Sequence, residues 1–98
     1  PIICLAHGAT TGGGLAFALA SDVRIAASDV KMNVAMVKVG LTGCDVGISY
    51  FLPRAVGSSV AAEMMMTGRM LTAPRALAVG LVSEVVEAGE LEAAGRAM

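Results

Sequence analysis

Three consecutive glycines, Gly12 to Gly14, stand between an apolar run and an Ala/Leu segment in the opening stretch PIICLAHGATTGGGLAFALASD, Pro1 to Asp22. Each glycine disfavours a regular helix or strand by about 0.5–1 kcal/mol relative to alanine, so the chain must turn there. The run Ile2 to Ala6 is apolar at both alternating positions, the pattern of a strand buried on both faces, and Gly8 ends it. Leu15 to Ser21 reads as a helix. Between Gly12 and Gly14 no side chain separates the backbone from an approaching group, and the amides that follow are the unpaired first donors of that helix. The pattern predicts a site for an anionic or polarised oxygen.

Other readings of the same residues stay open at this point. Gly8 and Gly12 form a GxxxG, and no charged side chain precedes Asp22, as in a membrane span. Against a span stand three glycines that form helix poorly and the lack of a basic anchor before the run. A dinucleotide fingerprint fits less well, because the glycines do not match G-x-G-x-x-G. A purely structural glycine turn is the remaining alternative.

The chain has 98 residues, 56% hydrophobic and only 15% charged, against about 25% charged in an ordinary globular domain. That length allows at most one domain, and Pro1 falls within a strand, so residues 1–98 read as a piece of a longer protein. So much apolar surface predicts burial against further chain or other subunits. A net charge of −1 and three aromatic residues argue against a nucleic-acid partner. Cys4 and Cys44 fit no metal spacing and His7 stands alone, so no metal is expected and both cysteines read as reduced thiols. No leader can be read, and a cytoplasmic location is expected from class alone.

Downstream, Asp22 to Ala27 reads as a second strand, Lys31 to Val34 as a brief extended piece, and Met36 to Gly40 as a return toward the first strand's end. Gly40 to Gly47, GLTGCDVG, carries three glycines in its eight residues and reads as a loop beside the glycine run. Ile48 to Val56 suits a helix that Pro53 should end or kink. Ser58 is an N-cap candidate for a helix over Ser59 to Thr67, stopped by Gly68. Met64, Met65 and Met66 read as core filling rather than an acyl pocket, since successive helical positions point different ways. Thr72 caps a helix over Ala73 to Val79 with Pro74 in its first turn, ended by Gly80. Leu81 to Val86 reads as a strand, and a further helix starts after Gly89.

The segments GATTGGGLAFALASDVRIAASDVKM, VKVGL, LPRAVG and MMMTGRMLTAPRALAVGLVSEVV occur in an order and at a spacing that resemble the central part of the crotonase superfamily, the enoyl-CoA hydratase/isomerase family. The resemblance covers nearly the whole chain. It implies an α/β fold, a fragment of the crotonase-type spiral of repeated β-β-α turns, with residues 1–98 as the central to C-terminal part of one domain. It also implies an acyl-CoA substrate, no cofactor beyond the coenzyme A of that substrate, and a homo-oligomer, a trimer or dimer of trimers. In such enzymes two backbone amides stabilise an oxyanion at the thioester carbonyl. By position Gly13 carries one of them here, flanked by substrate-binding Gly12 and Gly14, and the other lies upstream of Pro1.

The departures from the family pattern narrow the chemistry. In hydratases one glutamate follows the glycine run and another precedes the VGL-type turn; here those positions hold Ala16 and Met36, and neither can transfer a proton. The segment DVGISYFLPRAVG resembles the matching loop of dienoyl-CoA isomerases and 4-chlorobenzoyl-CoA dehalogenases, whose catalytic aspartate falls at Asp45, with one extra residue after Gly40. Two functions are therefore implied: an acyl-CoA enzyme using Gly13 and Asp45, isomerase-like rather than a standard hydratase, or a non-catalytic acyl-CoA-binding or assembly protein of the same fold. An aspartate in a glycine-rich loop is also a candidate cap for the next helix.

Overall fold

The computed structural model describes residues 1–98. Strand pairs precede helices in the first two turns, and single strands alternate with helices thereafter. First come β1 (Ile3–Ala6), β2 (Ala9–Thr11) and α1 (Gly13–Ala20), and then β3 (Val23–Ala27), β4 (Lys31–Asn33), α2 (Ile48–Val56) and α3 (Ser58–Thr67). The chain closes with β5 (Leu71–Thr72), α4 (Ala73–Ala78), β6 (Glu84–Val86) and α5 (Leu91–Ala97). Each turn feeds one strand to each of two sheets. One sheet has the order β1-β3-β6, all parallel, with Ile3 opposite Val23 and Ala26 opposite Val85. The other has the order β2-β4-β5, with Thr11 opposite Asn33 in a parallel pair and β5 antiparallel to β4.

The two faces of the first sheet bury separate sets of side chains. Ala6 and Ala26 join Leu15, Met32, Ile48, Leu52 and Met64 in the main core, with Cys4 packed against it. On the other face Ile25 and Ala27 pack with Leu91 of α5, joined by Leu5 and Val23. Burial on both faces therefore holds for β3, whereas β1 departs from the expectation: Ile2 is 65% and Ile3 37% exposed.

Helix boundaries depart from the sequence reading where local rules conflict with packing. α1 starts at Gly13, not Leu15, and ends at Ala20. Pro53 sits inside α2, which continues to Val56 because Ile48, Leu52 and Val56 are all buried on one face, at i, i+4 and i+8. The carbonyl this deprives of its helical donor belongs to solvent-exposed Ser49. Ser58 is the first residue of α3 rather than its cap, and Thr72 precedes α4 without a side-chain cap bond. Ala35–Val39 is a 3-10 helix instead of an extended return, and the final strand is confined to Glu84–Val86 while Leu81 and Val82 turn into the core. Met64 is fully buried, Met65 half-buried and Met66 exposed, as core filling requires. No helix is long and apolar enough to cross a membrane.

Two polar residues tie the layers together. Half-buried Arg24 donates from Nε to the Leu81 carbonyl at 2.7 Å and from Nη1 to the carbonyls of Ser21 and Ala18, placing a cation at the C-terminus of α1. Buried Asn33 donates from Nδ2 to the Gly68 carbonyl at 2.9 Å, fixing the end of α3 to β4. Gly68 itself is left-handed at φ 64, and a Cβ there would lie 2.8 Å from Val37 Cγ1 and Lys38 Cγ. Gly68→Ala in the full-length protein should therefore cost at least about 1–2 kcal/mol. Urea denaturation reads this, and an unchanged midpoint would show that the turn relaxes freely.

Candidate functional site

Gly12 makes the corner between β2 and α1. It is buried at φ 55 and ψ −118, donates its N–H to the Asn33 carbonyl at 3.2 Å, and accepts the Ala16 N–H at 3.1 Å. A Cβ would meet only ordinary contacts, Ala35 Cβ at 3.7 Å and Met36 Sδ at 3.8 Å, so the positive φ and not space requires glycine. Gly13 and Gly14 follow as exposed residues with nothing within 4 Å of a would-be Cβ. No side chain caps α1. Its first amides have no intrahelical acceptor, and they open on an uncovered turn.

One face of α1 forms the wall of a cavity of about 300 Å³, lined by Gly13, Ala16, Phe17, Ala20 and Val46. Positions 13, 16, 17 and 20 share a face by helical period, so this wall was available to a sequence reading that singled out only Gly13 and Ala16. Phe17 is 83% exposed and Val46 67% exposed. Gly14 faces a different hollow, of about 310 Å³, together with Cys4, His7 and Thr10. The glycine run is thus divided between two openings.

Asp45 lies at the start of a short 3-10 turn, Asp45–Gly47, that contacts α1. Its Oδ1 accepts a 3.5 Å hydrogen bond from Thr42 Oγ1, which in turn accepts the Cys44 N–H at 3.3 Å. It is half-buried and is not among the residues lining the Gly13 cavity; its neighbour Val46 is. Nor does Asp45 cap α2, whose N-cap is left-handed Gly47 with no side-chain bond. Val46 sits at φ 49 and ψ 35, a left-handed conformation that costs a β-branched residue about 1–3 kcal/mol. Nothing in the residue type signals this. Met36 is buried against Gly12, and Ala16 faces the cavity, so the two positions bring no titratable group to it.

The family model for enoyl-CoA hydratase/isomerase matches residues 1–98. The chain belongs to that family. It is 48% identical over 86 residues to a Mycobacterium tuberculosis protein named "Probable enoyl-CoA hydratase EchA12", covering 88% of this chain and 30% of that one. It is 45% identical over 95 residues to the (E)-benzylidenesuccinyl-CoA hydratase of Thauera aromatica, covering 93% and 35%. A crystal structure of a probable enoyl-CoA hydratase/isomerase from Mycobacterium abscessus superposes with a TM-score of 0.90 at 46% identity, over 92% of this chain and 34% of that one. The chain thus spans about a third of the length of these relatives. Its two-sheet arrangement of strand–strand–helix turns is a fragment of the crotonase fold.

Within this crotonase-fold chain the two thiols differ sharply. Burial pushes the Cys4 thiol above its ordinary pKa, against the lowering pull of the Arg24 guanidinium and a hydrogen bond with Ser21. Cys44 is exposed on the Asp45 loop. Because the thiolate is the nucleophile, iodoacetamide at neutral pH should modify Cys44 at least about 10-fold faster than Cys4. Peptide mapping over time measures the ratio; equal rates would mean that β1 opens readily.

Proposed function

We propose that residues 1–98 are the central to C-terminal part of a single crotonase-fold domain in an acyl-CoA thioester enzyme, with Gly13 as an oxyanion donor and Asp45 as the group that moves a proton. The observation that carries this reading is the shared cavity: the first residue of α1 and the residue after Asp45 line the same apolar hollow. An apolar wall beside unpaired amides suits an acyl group whose thioester oxygen takes up charge. The amide of Gly13 has a fixed direction before charge develops, and one such donor is worth about 2.7–4 kcal/mol in a water-poor site.

Asp45 removes a proton from the carbon next to the thioester carbonyl, the electron pair moves onto the carbonyl oxygen, and the resulting enolate oxygen accepts the Gly13 N–H. Returning the proton to a different carbon shifts the double bond without any co-reactant. Gly13 has no side chain to keep the thioester from its amide, Gly12 turns the chain into α1 at positive φ, and Gly14 opens on the neighbouring hollow. Hydration is the second reading, favoured by the names of the relatives. Here Ala16 and Met36 cannot hold and activate a water, which supports double-bond isomerisation instead.

The test is a pair of assays on the full-length protein, isomerisation of a 3-enoyl-CoA and hydration of crotonyl-CoA. Asp45→Asn should leave stability unchanged while lowering isomerisation by at least about 100-fold. Gly13 is the first helical residue, a position that tolerates proline, so Gly13→Pro should fold and lose about 100-fold in turnover for want of one amide. Efficient crotonyl-CoA hydration that survives Asp45→Asn would instead support the second reading. Tight acyl-CoA binding without turnover in either assay would make this a binding or assembly protein.

A further inference from the structure

One contact of the Gly40–Gly47 loop has almost no steric tolerance. A Cβ on Gly43 would stand 2.8 Å from both the Cβ and the carbonyl oxygen of Met65, and 3.1 Å from its Cα. Two of these atoms are backbone, so they cannot swing aside as the tip of a side chain could. Met65 packs against the main core directly after fully buried Met64, which makes this turn of α3 a fixed surface. Three residues beyond Gly43, Val46 is held in the left-handed region, an outlier for a β-branched residue. Such a conformation persists only where the surroundings over-determine the backbone. Gly43 against α3 supplies one constraint. At the other end Gly47 lies close under the Phe51 ring, where a Cβ would be 3.4 Å from Cε2.

We propose that the C-terminal half of α3 is a buttress for the loop, and that Gly43, seated on Met65, is a positioning residue that sets where Asp45 and Val46 stand relative to Gly13. The inference rests on the reading of Asp45 as the proton-moving group. Asp45 lies between the pinned residue and the strained one, and its 3-10 turn touches α1. A side chain at Gly43 must push the loop away from α3 and alter the separation of Asp45 from the glycine-run amide. Misplacement of a reacting group by about 1 Å can cost about 100-fold in rate.

The experiment compares kcat and KM for 3-enoyl-CoA isomerisation in the full-length protein and its Gly43→Ala, Val46→Gly and Asp45→Asn variants, with unfolding midpoints measured beside them. Gly43→Ala should lower kcat by about 10–100-fold while KM stays within about threefold, because alignment is lost and binding is not. Val46→Gly relieves the cost of the left-handed conformation and frees the backbone to leave it, so it should raise the unfolding midpoint and yet lower kcat several-fold with KM within about threefold, a divergence that neither a purely structural role nor a lost binding contact produces. If Gly43→Ala fails to fold, Val46→Gly decides. Wild-type kcat in folded Gly43→Ala, or in Val46→Gly, overturns the buttress while an inactive Asp45→Asn upholds the reading beneath it. Undiminished turnover in Asp45→Asn overturns both.

Discussion

Asn33 holds together the parts on which the site depends. Its carbonyl accepts the Gly12 N–H and so fixes the corner at which β2 becomes α1, while its side-chain amide holds the carbonyl of Gly68 at the end of α3. A single residue of β4 thereby couples the glycine run to the helix against which the Asp45 loop rests. The side chain is 3% exposed, and its Oδ1 is the one buried side-chain polar atom without a hydrogen-bond partner. The two bonds Asn33 does make fix the relative placement of the glycine corner and the end of α3.

The sheets and their helices divide the buried side chains into a main core and a smaller cluster. Small residues, Ala6, Ala18, Ala26, Ala61, Ala73 and Ala76, let strands and helices approach closely, and the bulk comes from Leu15, Met32, Ile48, Leu52 and Met64. The apolar residues left outside are unevenly placed. Phe17 and Val46 stand at the mouth of the Gly13 cavity, and Tyr50 stacks edge-on with Phe51 under the Arg54 guanidinium, 3.7 Å from the Tyr50 ring centre.

Much of this architecture was legible in the sequence because it follows from short-range rules. Gly8, Gly68 and Gly80 mark real turns at positive φ, and the apolar run at Ile3–Ala6 is a strand. The errors arose where a local preference met a stronger tertiary one. Gly13 and Gly14 enter α1 despite poor propensity because the helix they begin is held by the burial of Leu15, Ala18 and Leu19. Pro53 is carried by the buried stripe on either side of it. For the site, Gly13 and Ala16 were readable from the glycine run, and Phe17 and Ala20 from helical period. Val46 was not, since nothing in valine signals a left-handed backbone, and neither was the pinning of Gly43, which depends on a helix about twenty residues away.

The glycine-run amide as a donor to a thioester oxygen is the central claim, and it has a direct spectroscopic signature. A hydrogen bond to the carbonyl oxygen weakens the C=O bond. Isotope-edited infrared difference spectra of the full-length protein with a substrate analogue carrying carbon-13 at the thioester carbonyl isolate that one vibration. The account predicts a band shifted to lower frequency than in water, narrowed by a single fixed environment. A bound thioester whose carbonyl band lies at or above its aqueous position would contradict it.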